Sequence, residues 1–130
     1  MIAVVATVAG AFAVDLEKDE LEPWAGELTT PVALALNLPR LVAAASAGST
    51  VVAVVDTKPP LVVSHDAGVT WRESGGGLPA GRAVVISDDD PDLIVYASRN
   101  RLHVSTNGGV FWRALAVELP EIESISLLPQ

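Results

Sequence analysis

The chain has no cysteine and few aromatic residues. Among its 130 residues there are three Trp, two Phe and one Tyr. The absence of cysteine excludes disulfides, thiolate nucleophiles and Cys-ligated zinc, and it removes any redox clue to compartment. No apolar run approaches the roughly 20 residues that a membrane-spanning helix needs. Disulfide scaffolds, cysteine enzymes and helical membrane proteins are therefore excluded as classes.

Basic residues are also scarce. Eight Lys and Arg stand against 16 Asp and Glu, which gives a formal net charge of -8. This balance disfavours nonspecific binding to nucleic acid or to anionic membranes. Half of the residues are apolar, and a chain of this length can bury the core of one domain. We expect a single domain without a cofactor.

What the chain does contain is an internal repeat. The segment SHDAGVTW at residues 64–71 returns 41 residues later as STNGGVFW at residues 105–112. We name these segments box 2 and box 3. Repeats of about 40 to 45 residues are typical of propeller blades and of some helical arrays, and the β-branched sequence around both boxes favours the propeller.

Both segments resemble the Asp box, or BNR repeat, of sialidases, sortilin-type receptors and photosystem assembly factors, whose pattern is S-x-D-x-G-x-T-W. Box 3 has Asn107 in place of the Asp and Phe111 in place of the Thr. The resemblance implies a β-propeller in which the box fastens a hairpin away from any active site, so it indicates a fold more than a function. We predict that Asp66 accepts backbone hydrogen bonds and that Trp71 is largely buried. The matching residues are Ser64, Asp66, Gly68, Thr70 and Trp71 in box 2, and Ser105, Asn107, Gly109 and Trp112 in box 3.

Two further features follow the same rhythm. Leu-Pro recurs at residues 38–39, 78–79 and 119–120, and the three Trp residues are 24, 71 and 112. The interval after Trp24 is longer, because residues 25–37 form an extended connection. We interpret residues 17–23 as a decayed first copy of the box.

Apolar runs bounded by turn residues predict four strands in each repeat. Naming the strands A to D outward from the axis, the chain reads BCD, ABCD, ABCD, A. The predicted strands are 2–7; then 41–47, 51–56, 61–64 and 69–73; then 83–87, 93–98, 102–105 and 110–115; and finally 122–128.

The strand order predicts an all-β propeller with three four-stranded blades per chain. Blade 1 covers about residues 2–28 and is completed by an A strand from 122–128; blade 2 covers about 38–74 and blade 3 about 78–116. Because closed propellers have four to eight blades, we expect a homodimer of six blades in which the C-terminal strand completes the partner's first blade. The apolar N-terminus lacks the basic region of a signal peptide, so we interpret it as a strand and expect a cytoplasmic location.

The charged residues are predicted to separate between the two ends of the blades. Acidic residues occupy the A–B and C–D turns, and basic residues the B–C and D–A loops. The basic set either keeps the loops solvated or forms an electropositive funnel for an anionic small molecule or a protein partner such as an acidic peptide. Its members are Lys58, Arg99, Arg101, Arg40 and Arg82.

The catalytic residues of sialidases have no full counterpart here. Tyr96 lies in an apolar strand, and only Arg99 and Arg101 share a loop. We therefore expect no enzyme activity and no metal site; His65 and His103 belong to separate repeats. The acidic run at residues 88–92 is interpreted as a turn rather than a calcium loop.

Two functions remain open from the sequence. The first is a noncatalytic binding or scaffold module that recognises its ligand with loops around the axis. The second is a lectin-like or sialidase-derived carbohydrate protein. Sugar sites need exposed aromatic side chains, and we expect Phe12, Tyr96 and Phe111 to lie within strands, which favours the scaffold.

Overall fold

The computed structural model describes residues 1–28, 36 and 38–128, and they form three four-stranded antiparallel sheets. The described residues contain no helix that is long and apolar enough to cross a membrane. The predicted all-β fold with three four-stranded sheets is thereby confirmed. The strands are β1 (Ile2–Thr7), β2 (Gly10–Asp15), β3 (Glu20–Pro23), β4 (Leu41–Ala47), β5 (Thr50–Val55), β6 (Leu61–Ser64), β7 (Arg72–Ser74), β8 (Gly81–Ile86), β9 (Ile94–Ser98), β10 (Leu102–Ser105), β11 (Arg113–Ala114) and β12 (Ile122–Leu127).

Each sheet is one blade. Blade 1 has the order β12-β1-β2-β3, blade 2 has β4-β5-β6-β7, and blade 3 has β8-β9-β10-β11. The outer strands β7 and β11 are shorter than predicted. The box turns extend through residues 71 and 112, so the strands begin only after each box. The second strands of blades 2 and 3, β5 and β9, are buried along their whole length.

The C-terminal strand completes the first blade of its own chain. β12 pairs with β1 in antiparallel register, with Val5 opposite Ile125, and both residues are buried. The expected exchange of this strand with a partner is therefore wrong, although its place as the inner strand of blade 1 is correct. The connection before β4, residues 24–40, is much longer than residues 75–80 before β8. This length allows blade 1 to lie beside blade 3 in the same chain.

The blades form an open arc in the order 2, 3, 1. The inner strands β4 and β8 contact each other, as do β8 and β12, whereas β4 and β12 share no contact in the described part of the chain. One buried apolar cluster joins blades 2 and 3, with Tyr96 and Leu61 among its fully buried members. A second joins blades 3 and 1 and includes Leu102 and Ile122. Burial of these clusters is the main source of stability.

In the described part of the chain, each terminal blade has one sheet face that packs against no other blade, although its central side chains are buried, with Val4 2% and Ala53 0% exposed. In blade 1 the strand alternation places Val4, Ala6, Ala11 and Ala13 on that face, because their neighbours Ala3 and Val5 belong to the cluster facing blade 3. In blade 2 the corresponding face carries Ala44, Ser46, Val51 and Ala53. These side chains are smaller than Val84, Ile86, Ile94 and Tyr96, which occupy the same positions where blade 3 packs on blade 2.

Candidate functional site

Box 2 is a hairpin closed by its own side chains. Ser64 Oγ accepts from the Gly68 amide at 2.8 Å and donates to Asp66 Oδ1 at 2.7 Å. Asp66 Oδ1 also accepts from the Thr70 amide at 2.8 Å, and its Oδ2 accepts from the Thr70 hydroxyl. Asp66 therefore bonds backbone within the hairpin, as we expected. Side-chain bonds of this kind satisfy turn amides that have no partner in the sheet.

These bonds also act on the charge of Asp66. The Thr70 hydroxyl bond, followed by the Thr70 amide bond and the Ser64 bond, lowers the pKa of the Asp66 carboxyl from 3.8 to about 2. Hydrogen bonds to the ionised form favour that form. The carboxylate is therefore held as part of the turn and is unsuited to transfer a proton near neutral pH.

Box 3 has the same geometry with a neutral side chain. Asn107 Oδ1 accepts from the Phe111 amide at 3.0 Å, and Ser105 Oγ accepts from the Gly109 amide at 2.9 Å. Phe111 lies in this turn rather than in a strand, and 75% of its surface is exposed. The expectation that Phe111 packs within a strand is therefore wrong. The Thr-to-Phe change in the box places an aromatic ring in solvent.

The Trp residues of the boxes are partly buried. Trp71 packs on Gly68 of its own turn and is neither exposed nor fully buried, so the expectation that it is largely buried is confirmed in part. Trp112 lies at the junction of two blades, where its Nε1 donates to Ser74 Oγ at 3.0 Å. Trp71 would make the equivalent contact with a blade preceding blade 2. The open arc has no blade there, because blade 1 lies beside blade 3.

The first unit uses Asp15 and Asp19 where the other units have a box. Asp15 Oδ1 accepts from the Glu17 and Lys18 amides at 3.0 and 3.1 Å. Asp19 accepts from the Ala116 and Val117 amides of blade 3 at 2.6 and 3.1 Å. The turn between β2 and β3 thus bonds the segment that follows β11. The interpretation of residues 17–23 as a decayed box is right about the hairpin, but the key acceptor Asp15 precedes that segment.

The predicted basic residues all lie at one end of the blades, which we call the basic end. Some of them follow β5 or β9, and the others lie just before or at the start of an inner strand. These positions meet at one end because the start of each inner strand pairs with the end of the neighbouring strand. The five residues are Arg40, Lys58, Arg82, Arg99 and Arg101.

Acidic partners neutralise part of the basic end. Arg82 and Arg99 both approach Glu121 Oε1, at 2.7 and 3.4 Å, and Arg101 pairs with Glu118 at 2.7 Å. The hydrogen bond from Arg82, with the charge of Arg99, lowers the pKa of the Glu121 carboxyl. An anionic ligand would have to compete with these carboxylates. Surface pairs are weak individually, so such competition is feasible.

Tyr96 and His103 belong to the interior of blade 3. The Tyr96 ring is fully buried, its hydroxyl donates to Pro79 O at 2.6 Å, and burial raises its pKa to about 12. His103 is buried beside it, with Nε2 3.3 Å from Ser98 Oγ. Both residues pack the core, as the sequence predicted for Tyr96. The described residues contain no cluster of three or more His, Asp or Glu side chains that could hold a metal ion.

A groove runs between β7 of blade 2 and box 3, and we call it the 2–3 groove. Its volume is about 320 Å³. Its walls are formed by Arg72, Glu73, Val63, Val110 and the backbone of glycines on both sides. Arg72 was not expected to contribute to a site. The 41-residue offset that aligns Arg72 with Arg113 could have drawn attention to the arginine.

No protein-family model and no curated protein matches the chain. Among solved structures, the chain is similar to a GH74 enzyme from Niastella koreensis, a β-propeller protein. The TM-score is 0.50 and the sequences are 20% identical. The match covers 91% of this chain and only 18% of the other. This similarity supports a propeller-like fold; the Asp-box family remains a resemblance of residues 64–71 and 105–112.

Proposed function

We propose that the protein is a noncatalytic binding or scaffold module of the Asp-box propeller type, which recognises its ligand at the basic end. The observation that carries the proposal is the convergence of Arg82, Arg99 and Glu121 at the start of the inner strands. These strands are the ones that line the axis of a propeller. Surface ion pairs at such a mouth can be exchanged for pairs with a ligand.

The buried contact of Tyr96, the residue that could act as a nucleophile, supports a noncatalytic role. Tyr96 is the single tyrosine, and its hydroxyl is buried on Pro79 O. A nucleophile needs an accessible oxygen and an adjacent base. The hydroxyl that sialidase-type chemistry would use as a nucleophile is thus engaged in a buried structural contact.

The proposal extends to two copies that close a ring of six blades. The uncovered face of blade 1 in one chain would pack on the uncovered face of blade 2 in the other, twice about a two-fold axis. Trp71 supports this arrangement, because its equivalent Trp112 bonds the preceding blade, whereas Trp71 makes no such bond among the described residues. The small side chains of both faces allow two sheets to approach closely.

Citrate is a suitable probe of the basic end, because it is a small multivalent anion. We expect citrate to raise the melting temperature of the wild type modestly, and to raise that of Glu121→Gln more, because the competing carboxylate is gone. Arg99→Ala with Arg101→Ala should abolish the effect, and added salt should reduce it. Equal citrate shifts in all three proteins would place anion binding elsewhere and contradict the proposal.

A second candidate, carbohydrate recognition, is favoured by one observation. Phe111 provides the exposed aromatic ring that the sequence had not predicted. Aromatic faces bind the apolar face of sugar rings. The similarity in fold to the GH74 enzyme, a glycoside hydrolase propeller, agrees with this candidate but covers a small part of that chain. Binding to a glycan array would support it over the anion-binding module.

A further inference from the structure

We propose that the 2–3 groove binds a neutral hexopyranose unit of a saccharide, with Arg72 as the hydrogen-bond donor and with Val110 and its neighbour Phe111 as the apolar surface. The proposal rests on the second candidate function and gives it a site. The groove lies at the box end of blades 2 and 3, away from the basic end. Its volume of about 320 Å³ is at the lower limit of small-molecule sites, which begin near ~300 Å³.

Arg72 is the first reason. It stands opposite Val63 in the register of β6 and β7, on the face of blade 2 that points toward blade 3. Its repeat equivalent, Arg113, stands opposite Val104 and donates to Leu16 O of the next blade at 3.0 Å. Arg72 has no such partner among the described residues. One copy of a repeated arginine thus closes its inter-blade junction, and the other leaves its donors facing a groove.

The glycine-rich walls are the second reason. Gly75 and Gly76 lie on one side of the groove, and Gly108 and Gly109 on the other. Side chains are absent from these positions, so the space between the two walls is left open to a ligand. The walls are held apart at a fixed distance, because Ser74 Oγ bonds both Gly109 O and Trp112 Nε1. A preformed site of this kind loses little entropy when a ligand binds.

Apolar surface beside polar groups is the third reason. Val110 lines the groove and is 60% exposed, and the next residue, Phe111, is 75% exposed. A pyranose presents C–H groups on one face and hydroxyls at its edge. Arg72 can donate to a hydroxyl or to the ring oxygen, and the Glu73 carboxylate can accept from a hydroxyl. The combination matches a sugar better than it matches a simple anion.

Charge selects the neutral sugar over an acidic one. The chain has a net charge of -8, and the box end contains Asp66, Glu73 and the acidic turn at residues 88–92. This field repels a carboxylate ligand and does not act on a neutral one. We therefore expect a uronic acid to bind more weakly than the corresponding neutral hexose.

The test uses amide NMR titrations of the full chain with methyl glucoside, methyl galactoside, methyl mannoside and glucuronate. At least one neutral glycoside should shift the Gly76, Gly108 and Gly109 amides saturably, with glucuronate about tenfold weaker, a difference of about 1.4 kcal/mol. Arg72→Ala and Phe111→Thr should each weaken binding at least ~tenfold. Phe111→Thr restores the usual box residue and should preserve folding. Lys18→Ala, which removes one positive charge on blade 1, is the matched control.

The proposal is overturned if none of the three neutral glycosides shifts the groove amides. It is also overturned if wild type, Arg72→Ala and Phe111→Thr titrate equally, or if glucuronate binds more tightly than the neutral sugars. The noncatalytic module at the basic end is judged separately by its citrate response. If the groove binds no glycoside, the result expected for citrate is unchanged.

Discussion

Trp112 of blade 3 and Ser74 of blade 2 are joined by a hydrogen bond of 3.0 Å from the indole Nε1 to the hydroxyl oxygen. The Ser74 hydroxyl in turn donates a hydrogen bond to Gly109 O. One serine therefore connects the outer strand of one blade to both the tryptophan and the turn of the next box. A substituent on Gly109 would press against Ser74 Oγ at 3.2 Å, so the contact also requires glycine there.

This connection predicts a graded loss of stability. Trp112→Phe keeps an aromatic ring and removes one hydrogen bond, which should cost about 1 kcal/mol of unfolding free energy. Ser74→Ala removes two bonds and should cost about 2 kcal/mol. Urea unfolding measures both, with the exposed Ser46→Ala of blade 2 as the control. Losses no greater than that of Ser46→Ala would mean that the connection contributes little.

Ala67 predicts a stabilising change. Its φ of 60° is left-handed, whereas box 3 has Gly108 at the same position with a φ of 71°. A left-handed backbone conformation costs an L residue roughly 1–2 kcal/mol. Glycine avoids this cost, but it loses more conformational entropy on folding, which offsets part of the gain. Ala67→Gly should stabilise the protein by about 0.5–1 kcal/mol in urea unfolding. Ala80→Gly, in an exposed loop, should not; a destabilised Ala67→Gly variant would refute the argument.

Asp66 predicts a loss of stability in acid. Its pKa is about 2 in the folded protein, below the ordinary value of 3.8. Its contribution is therefore complete above the unfolded pKa and is lost as pH falls toward the folded pKa. The urea midpoint of the wild type should fall between about pH 4 and about pH 2 more steeply than that of Asp66→Asn. Parallel curves would show that Asp66 is not the group responsible.

Tyr96 predicts a loss of stability in alkali. Burial raises its pKa from 10.0 to about 12. The neutral hydroxyl stabilises the fold at pH values below the unfolded pKa, and this contribution disappears as pH rises from about 10 to about 12. Tyr96→Phe should cost about 1 kcal/mol at neutral pH through the bond to Pro79 O and should lack the alkaline decline. Tyrosinate absorbance that appears while the fold is intact near pH 10 would contradict the burial argument.

Much of the fold could be predicted from the sequence. The strands at residues 2–7, 41–47, 61–64 and 102–105 have the predicted bounds, because strand alternation and turn residues are local properties. The position of β12 as the inner strand of blade 1 followed from the strand phase. The sequence could not show that β12 pairs within its own chain, because β1 of either chain offers the same pairing. The length of the connection at residues 24–40 permits the pairing within one chain.

The sites were harder to predict, because they depend on contacts between blades. The arginines of the basic end were identified, but Glu118 and Glu121 reach them from a loop distant in sequence. Trp71 and Trp112 have the same local pattern and differ only in whether a preceding blade is present. Phe111 occupies the Thr position of a turn, and its place in an apolar stretch concealed its exposure.

The solution mass tests the central claim most directly, because the proposed axial site needs a closed ring. Sedimentation equilibrium should give twice the chain mass of 13.5 kDa, and Ser46→Arg, at an exposed position on the same face of blade 2, should reduce it to one chain while the boxes stay folded. A mass of 13.5 kDa at every concentration, with cooperative unfolding and an unchanged result for Ser46→Arg, would contradict the two-copy ring.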